Sequence, residues 1–122
     1  MVLYQLRIVV AEKKLDEFIQ SLLSLSSAIR KEEGCLDFSL YRDLEKKDVY
    51  SVLGEWKTRR AMEEHFKDKS FSVLVGAARV LCKDFEMSID ETLEKGSYQL
   101  AREKITLHPN KGGEYPRQEV KQ

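Results

Sequence analysis

Several residue types are scarce in this 122-residue chain, and each scarcity excludes something. The two cysteines, Cys35 and Cys82, are too few and too far apart for a metal knuckle or redox pair, so both read as reduced core thiols. Neither sign of charge is in excess: 21 basic residues face 21 acidic ones, which argues against a nucleic-acid or anionic-membrane footprint. No apolar run approaches the roughly 18 residues of a membrane span. The opening MVLYQLRIVV lacks a basic start and is interrupted by Gln5 and Arg7, so it reads as the first strand of a cytoplasmic protein rather than a leader. P-loop, GxGxxG, HExxH and CxxC patterns are all missing.

What is present describes a single folded body with a tail. Apolar residues make up 42% and charged residues 34%, enough for one core without metals or disulfides. From Lys95 onward six basic residues meet three acidic ones, and both prolines, Pro109 and Pro116, fall there with Gly96, Gly112 and Gly113. Residues 1–94 are therefore expected as the domain and 95–122 as a polar extension. Tyr98, Leu100, Ile105 and Leu107 could pack as an arm, and the extension is expected to lie against a partner subunit.

Hydrophobic period sets the order of elements. VLYQLRIVV alternates, with Tyr4, Leu6, Ile8 and Val10 on one face and Leu3 and Val9 on the other. Residues 12–32 carry a helical stripe of Leu15, Phe18, Ile19, Leu22, Leu25 and Ile29, stopped by Gly34. Strands over 35–43 and 49–57 flank the polar turn LEKKD. Thr58 caps a helix whose inner face is Ala61, Met62, His65 and Phe66. After KDKS a second helical piece aligns Phe71, Leu74, Val75 and Ala78, and a strand over about 82–90 closes the domain.

The order βαββαβ predicts an α+β, ferredoxin-like fold: an antiparallel sheet with strands 1 and 3 central and both helical segments on one face. The other face would be bare although both central strands place apolar residues on it. A second copy of the chain would cover it, so a homodimer through the open sheet face is expected.

The stretch GEWKTRRAMEEHF holds the only tryptophan, Trp56, and one of two histidines, His65. Trp56 shares a strand face with Val52 and Tyr50, and Gly54 between them marks a place where something comes close. If that face looks toward the helices, Trp56, His65, Phe66 and Phe71 surround an aromatic space containing one group that titrates near neutral pH. Core packing of a tryptophan and a border histidine is the plainer alternative. His65 with Glu63 or Glu64 offers poor metal geometry and His108 lies in the tail, so no metal site is expected. DVYSVLGEW does not match the strand of an RNA-binding module.

The run GCLDFSLYRD, then the hairpin, then GEWKTRRAMEEHFKDKSF resembles the antibiotic biosynthesis monooxygenase domain family. The resemblance rests on Gly34, Cys35, Tyr41, Glu55, Trp56, Ala61, His65 and Phe71 and covers about residues 2–90. It implies a dimeric α/β barrel of two ferredoxin-like subunits. For the family's enzymes it implies oxygenation of small electron-rich aromatics such as hydroquinones and anthrones, with molecular oxygen as co-substrate and no cofactor. On that reading His65 is the base, and Trp56, Phe66, Phe71 and Tyr41 bind substrate. Many relatives have a second histidine where this chain has Ser70. Haem-degrading relatives use a histidine on the second helical piece, where FSVLVGAARV has none, so haem degradation is not expected. The competing function is a non-catalytic small-molecule-binding or interaction dimer. A cavity of roughly several hundred Å³ facing a His65 nitrogen would separate the two.

Overall fold

The computed structural model describes residues 1–107. His108, Pro109, Gly112, Gly113 and Pro116 lie outside the described residues, and so does much of the expected contact between tail and partner. The chain divides into two compact units, Met1–Thr92 and a second that begins at Leu93.

The first unit runs β1 (Val2–Val10), α1 (Glu12–Arg30), β2 (Cys35–Arg42), β3 (Val49–Trp56), α2 (Arg59–Lys67), α3 (Lys69–Leu81) and β4 (Cys82–Glu91). All neighbouring strands are antiparallel, in the order β2-β3-β1-β4, and the sheet is open rather than closed on itself. This is the ferredoxin-like α+β fold, with the central and edge strands where the crossover rules put them.

Alternation along β1 explains the layering. Val2, Tyr4, Leu6, Ile8 and Val10 are buried, while Leu3, Gln5, Arg7 and Val9 are only half-buried. The buried set joins one core with Phe18, Leu22 and Ile29 of α1, Phe38 of β2, Val52 and Trp56 of β3, and Met62 and Leu74 of α2 and α3. Burying a side chain of this size is worth about 1.5–3 kcal/mol. The edge strand β4 gains less: Phe85 and Ile89 pair across to Ile8 and Tyr4 on the same face, yet stay 38% and 44% exposed.

Caps start and stop the helices as side-chain chemistry dictates. Thr58 Oγ1 accepts from the Ala61 amide at the head of α2. Asp68 both ends α2 and caps α3, accepting from the Ser70 amide; that bond holds its carboxyl below the usual range. Ser26, polar within the α1 stripe, is buried because its hydroxyl donates to the Leu23 carbonyl and its oxygen accepts from Arg30.

In the second unit, the extension read as a polar arm forms a helix, α4 (Tyr98–Leu107). Ser97 heads it, with its hydroxyl accepting from the Gln99 amide and its carbonyl from the Leu100 amide, and Lys104 Nζ donates to Glu94 at 2.7 Å. QLAREKIT is composed mostly of good helix formers, a signal that outweighs the weak apolar stripe.

Candidate functional site

The turn after α1 does the positioning. Gly34 has φ +82, a conformation that favours glycine, and a Cβ built there would lie 2.5 Å from the Ala61 Cβ. The missing side chain thus lets the α1–β2 turn press on α2 one turn before His65. A hydrogen bond from the Lys57 amide to the Gly34 carbonyl, 2.8 Å, ties the same turn to the end of β3.

The result is a buried polar line through an aromatic cluster. His65 is 1% exposed. Its Nε2 lies 2.8 Å from Tyr4 Oη, and its Nδ1 lies 2.7 Å from Glu32 Oε1. Ser70 Oγ–H donates to the other Glu32 oxygen at 2.9 Å. Both imidazole nitrogens therefore have partners, which is what an interior histidine requires.

Rings pack around this line. Trp56 stacks on His65 with centroids 4.5 Å apart, and Tyr4 lies on it at 5.5 Å. Phe71 meets His65 edge-on at 5.3 Å, and Phe66 contacts Phe71 at 4.8 Å. Burial, reinforced by neighbouring Cys35 and Glu32, raises the Tyr4 hydroxyl well above the ordinary phenol value. Trp56 Nε1 is buried with no hydrogen-bond partner. It lies beside the space above Gly54, where an added Cβ would come within 3.2 Å of it.

The structure brings Trp56, His65, Phe66 and Phe71 together. It differs from expectation over Gly54, where the anticipated hole is filled: an added Cβ would come within 2.7 Å of the Tyr4 ring. Glycine is there because the Tyr4 ring on the neighbouring strand needs its place, Tyr4 pairing directly with Gly54. Tyr41 is not part of the cluster. It pairs with Ser51 on the helix-free face and is 52% exposed. Tyr4, Glu32 and Ser70 were not among the residues singled out for the site. Tyr4 was visible only as a polar-tipped ring in an apolar strand face.

The open space lies at the outer end of the line. A cleft of about 850 Å³ is lined by Glu32, Gly34, Thr58, Ala61 and His65, with Lys57, Arg60, Glu64 and Asp68 at its sides. Of the members of the line that border it, His65 is closed to solvent and Glu32, whose side chain is 19% exposed, is open to it. Among the described residues no group of three or more His, Cys, Asp or Glu side chains is arranged to hold a metal ion, and no helix is long and apolar enough to cross a membrane.

Comparison with known proteins places this arrangement. The family profile of antibiotic biosynthesis monooxygenase matches residues 1–76, and the chain belongs to that family. No curated protein matches it in sequence. Solved structures share the fold. A candidate antibiotic biosynthesis monooxygenase from Deinococcus radiodurans is 21% identical with a TM-score of 0.72, over 80% of this chain and 97% of that one. A conserved protein from Methanosarcina mazei is 26% identical with a TM-score of 0.70, over 75% of this chain and 91% of that one. SnoaB, a cofactor-independent oxygenase from Streptomyces nogalater, is 18% identical with a TM-score of 0.68, over 77% of this chain and 94% of that one.

Proposed function

We propose that the chain is a cofactor-independent monooxygenase acting on a small electron-rich aromatic, a hydroquinone or anthrone, with His65 as the base. The observation that carries this reading is the bond between His65 Nε2 and the phenol of Tyr4 at 2.8 Å, inside a cage of aromatic rings. The contact the chemistry needs, a phenolic hydroxyl on a water-excluded imidazole, is one this interior already accommodates.

The step balances without a metal or flavin. The base takes the hydroxyl proton, and the resulting anion has enough electron density on its ring carbon to add to dioxygen. Protonation of the peroxide and loss of water leave one oxygen atom in a new carbonyl and the other in water. The base takes one proton and returns it, so it ends the cycle unchanged. The protein's share is a water-excluded interior, orientation and the base, the last worth roughly 10²–10⁴-fold.

Trp56, Phe66 and Phe71 are the walls. Phe66 and Phe71 are only partly buried, so a flat substrate would have to enter past these rings. Tyr41 has no place in this site and belongs instead to the open sheet face, where a second copy of the chain would sit in a homodimer. The filled space over Gly54 favours the second reading, a binding or interaction dimer in which the ring cluster is core.

The test is oxygen uptake by metal-free protein with a panel of hydroquinones and anthrones. His65→Gln, which keeps hydrogen-bonding capacity, should lower uptake by roughly 10²–10⁴-fold. Equal uptake in variant and wild type would remove His65 from its role. No uptake above autoxidation in the wild type would leave the binding dimer.

A further inference from the structure

We infer that Glu32 is the positioning residue of this site: it holds His65 as the Nδ1–H tautomer and thereby makes Nε2 the proton-accepting atom. The inference rests on the proposed role of His65 only for its catalytic consequence. The tautomer itself follows from the hydrogen-bond network.

A neutral imidazole has one N–H donor and one lone pair, and its partners decide which nitrogen carries the hydrogen. Glu32, as a carboxylate, offers only lone pairs. Its Oε2 accepts from Ser70 Oγ–H and its Oε1 stands 2.7 Å from His65 Nδ1, so Nδ1 must be the donor. Nε2 is then left with a lone pair, and the group facing it at 2.8 Å is the Tyr4 hydroxyl, which has a hydrogen to give. Each polar atom from Ser70 to Tyr4 is satisfied by one assignment of hydrogens, with donation converging on Glu32: Ser70 to Glu32, His65 to Glu32, Tyr4 to His65.

The placement of Glu32 is deliberate in a physical sense. It sits two residues before Gly34, whose positive φ and close approach to Ala61 bring the turn onto α2. Only one end of the line is wet. Tyr4 is 0% exposed, whereas Glu32 lines the cleft, so proton exchange between His65 and water runs through the cleft side. When Nε2 takes a proton, the imidazolium that forms lies beside the Glu32 carboxylate, which stabilises it and keeps the ring from turning. Ser70 fixes the carboxylate in turn.

The experiment is long-range ¹H–¹⁵N correlation NMR of the full chain at neutral pH, with His65 signals assigned by their loss in His65→Gln. The wild type should show a protonated Nδ1 and an Nε2 with a free lone pair. Tyr4→Phe removes the hydroxyl and keeps the ring, and should leave the tautomer unchanged because Glu32 still holds Nδ1. Glu32→Ala should shift the tautomer ratio by on the order of tenfold or more toward Nε2–H, and Glu32→Gln, whose amide oxygen can still accept, should largely restore it. Nε2–H as the major wild-type form would overturn the inference, as would a ratio unmoved in folded Glu32→Ala. If Glu32→Ala does not fold, the wild-type and Tyr4→Phe spectra still decide. An oxygen-uptake assay that fails while the tautomer is as stated would sink the proposed oxygenase and leave Glu32's hold on His65 intact.

Discussion

Tyr4 and Tyr41 are the same residue type on opposite faces of one sheet, and their surroundings could hardly differ more. Tyr4 is 0% exposed, with its hydroxyl on His65 and rings of Phe66 and Phe71 against it. Tyr41 is 52% exposed on a face where Leu3, Val9 and Leu53 alternate with Gln5, Arg7 and Ser51. On the covered face a polar atom survives only with a partner, and Trp56 Nε1 is the one buried side-chain atom among the described residues without one. On the open face Gln5 donates to Ser51 at 3.2 Å in partial contact with water. The covered face is where a misplaced atom costs most, and it is also where the proposed site lies.

The largest break in that contrast should come from Gly34→Ala. A left-handed backbone costs a non-glycine residue roughly 1–2 kcal/mol, and forcing a methyl against Ala61 costs about 1–3 more. Urea unfolding should therefore show a loss of about 2–5 kcal/mol, accompanied by a weakened Glu32–His65 contact. Gly76→Ala is the sharpening control: nothing lies within 4 Å of the added Cβ and the site is inside α3, so about 1 kcal/mol of stabilisation is expected. Equal effects of the two substitutions would show that Gly34 is not the device that seats the turn.

Next in size is an alkaline effect from Tyr4. Its folded-state pKa is raised, chiefly by burial, above the ordinary value of 10.0. Below pH 10 both folded and unfolded chains hold the proton and the stability contribution is complete. Above pH 10 the unfolded chain releases the proton and the folded chain keeps it, so stability falls as pH rises. The slope from this one group is about 1.4 kcal/mol per pH unit. Tyr4→Phe should flatten the alkaline limb by that amount, whatever its cost at neutral pH, and an unchanged limb would place Tyr4 in a wetter setting than the structure does.

How much of this was legible beforehand follows from what period can and cannot encode. Alternation in VLYQLRIVV and the stripe on α1 name faces, and faces with the crossover rule yield strand order. The same logic gathered Trp56, His65, Phe66 and Phe71, since strand end and helix face both point inward. It could not pair His65 with Glu32, 33 positions away, or with Tyr4, 61 away. Those contacts depend on the positive φ of Gly34 and on which ring fills the space above Gly54. The expectation that Tyr41 binds substrate rests on the resemblance alone; alternation along β2 already separates it from Phe38 three residues earlier, and its pairing with Ser51 puts it on the helix-free face. The helix α4 was hidden by a composition that reads as polar extension until the helix-forming run after Ser97 is weighed on its own.

The smallest effect on the chain itself should come from the open face, and it tests what that face is for. Leu53 is half-buried, with Gln5 and Ser39 as its cross-strand neighbours, so a carboxylate there keeps access to water in a single chain. Leu53→Asp should change the unfolding free energy of the isolated chain by about 1 kcal/mol or less. If a second copy covers this face, the same carboxylate becomes a buried charge with apolar surroundings and no built partner, which a dimer tolerates poorly. Sedimentation equilibrium should then show a dimer for the wild type and a dissociation constant at least roughly tenfold weaker for Leu53→Asp. A wild type that sediments as a monomer, or a variant that dimerises as tightly, would mean that the half-exposed apolar residues of this face serve the chain alone. The contrast between the two faces would then be one of packing density, not of partner binding.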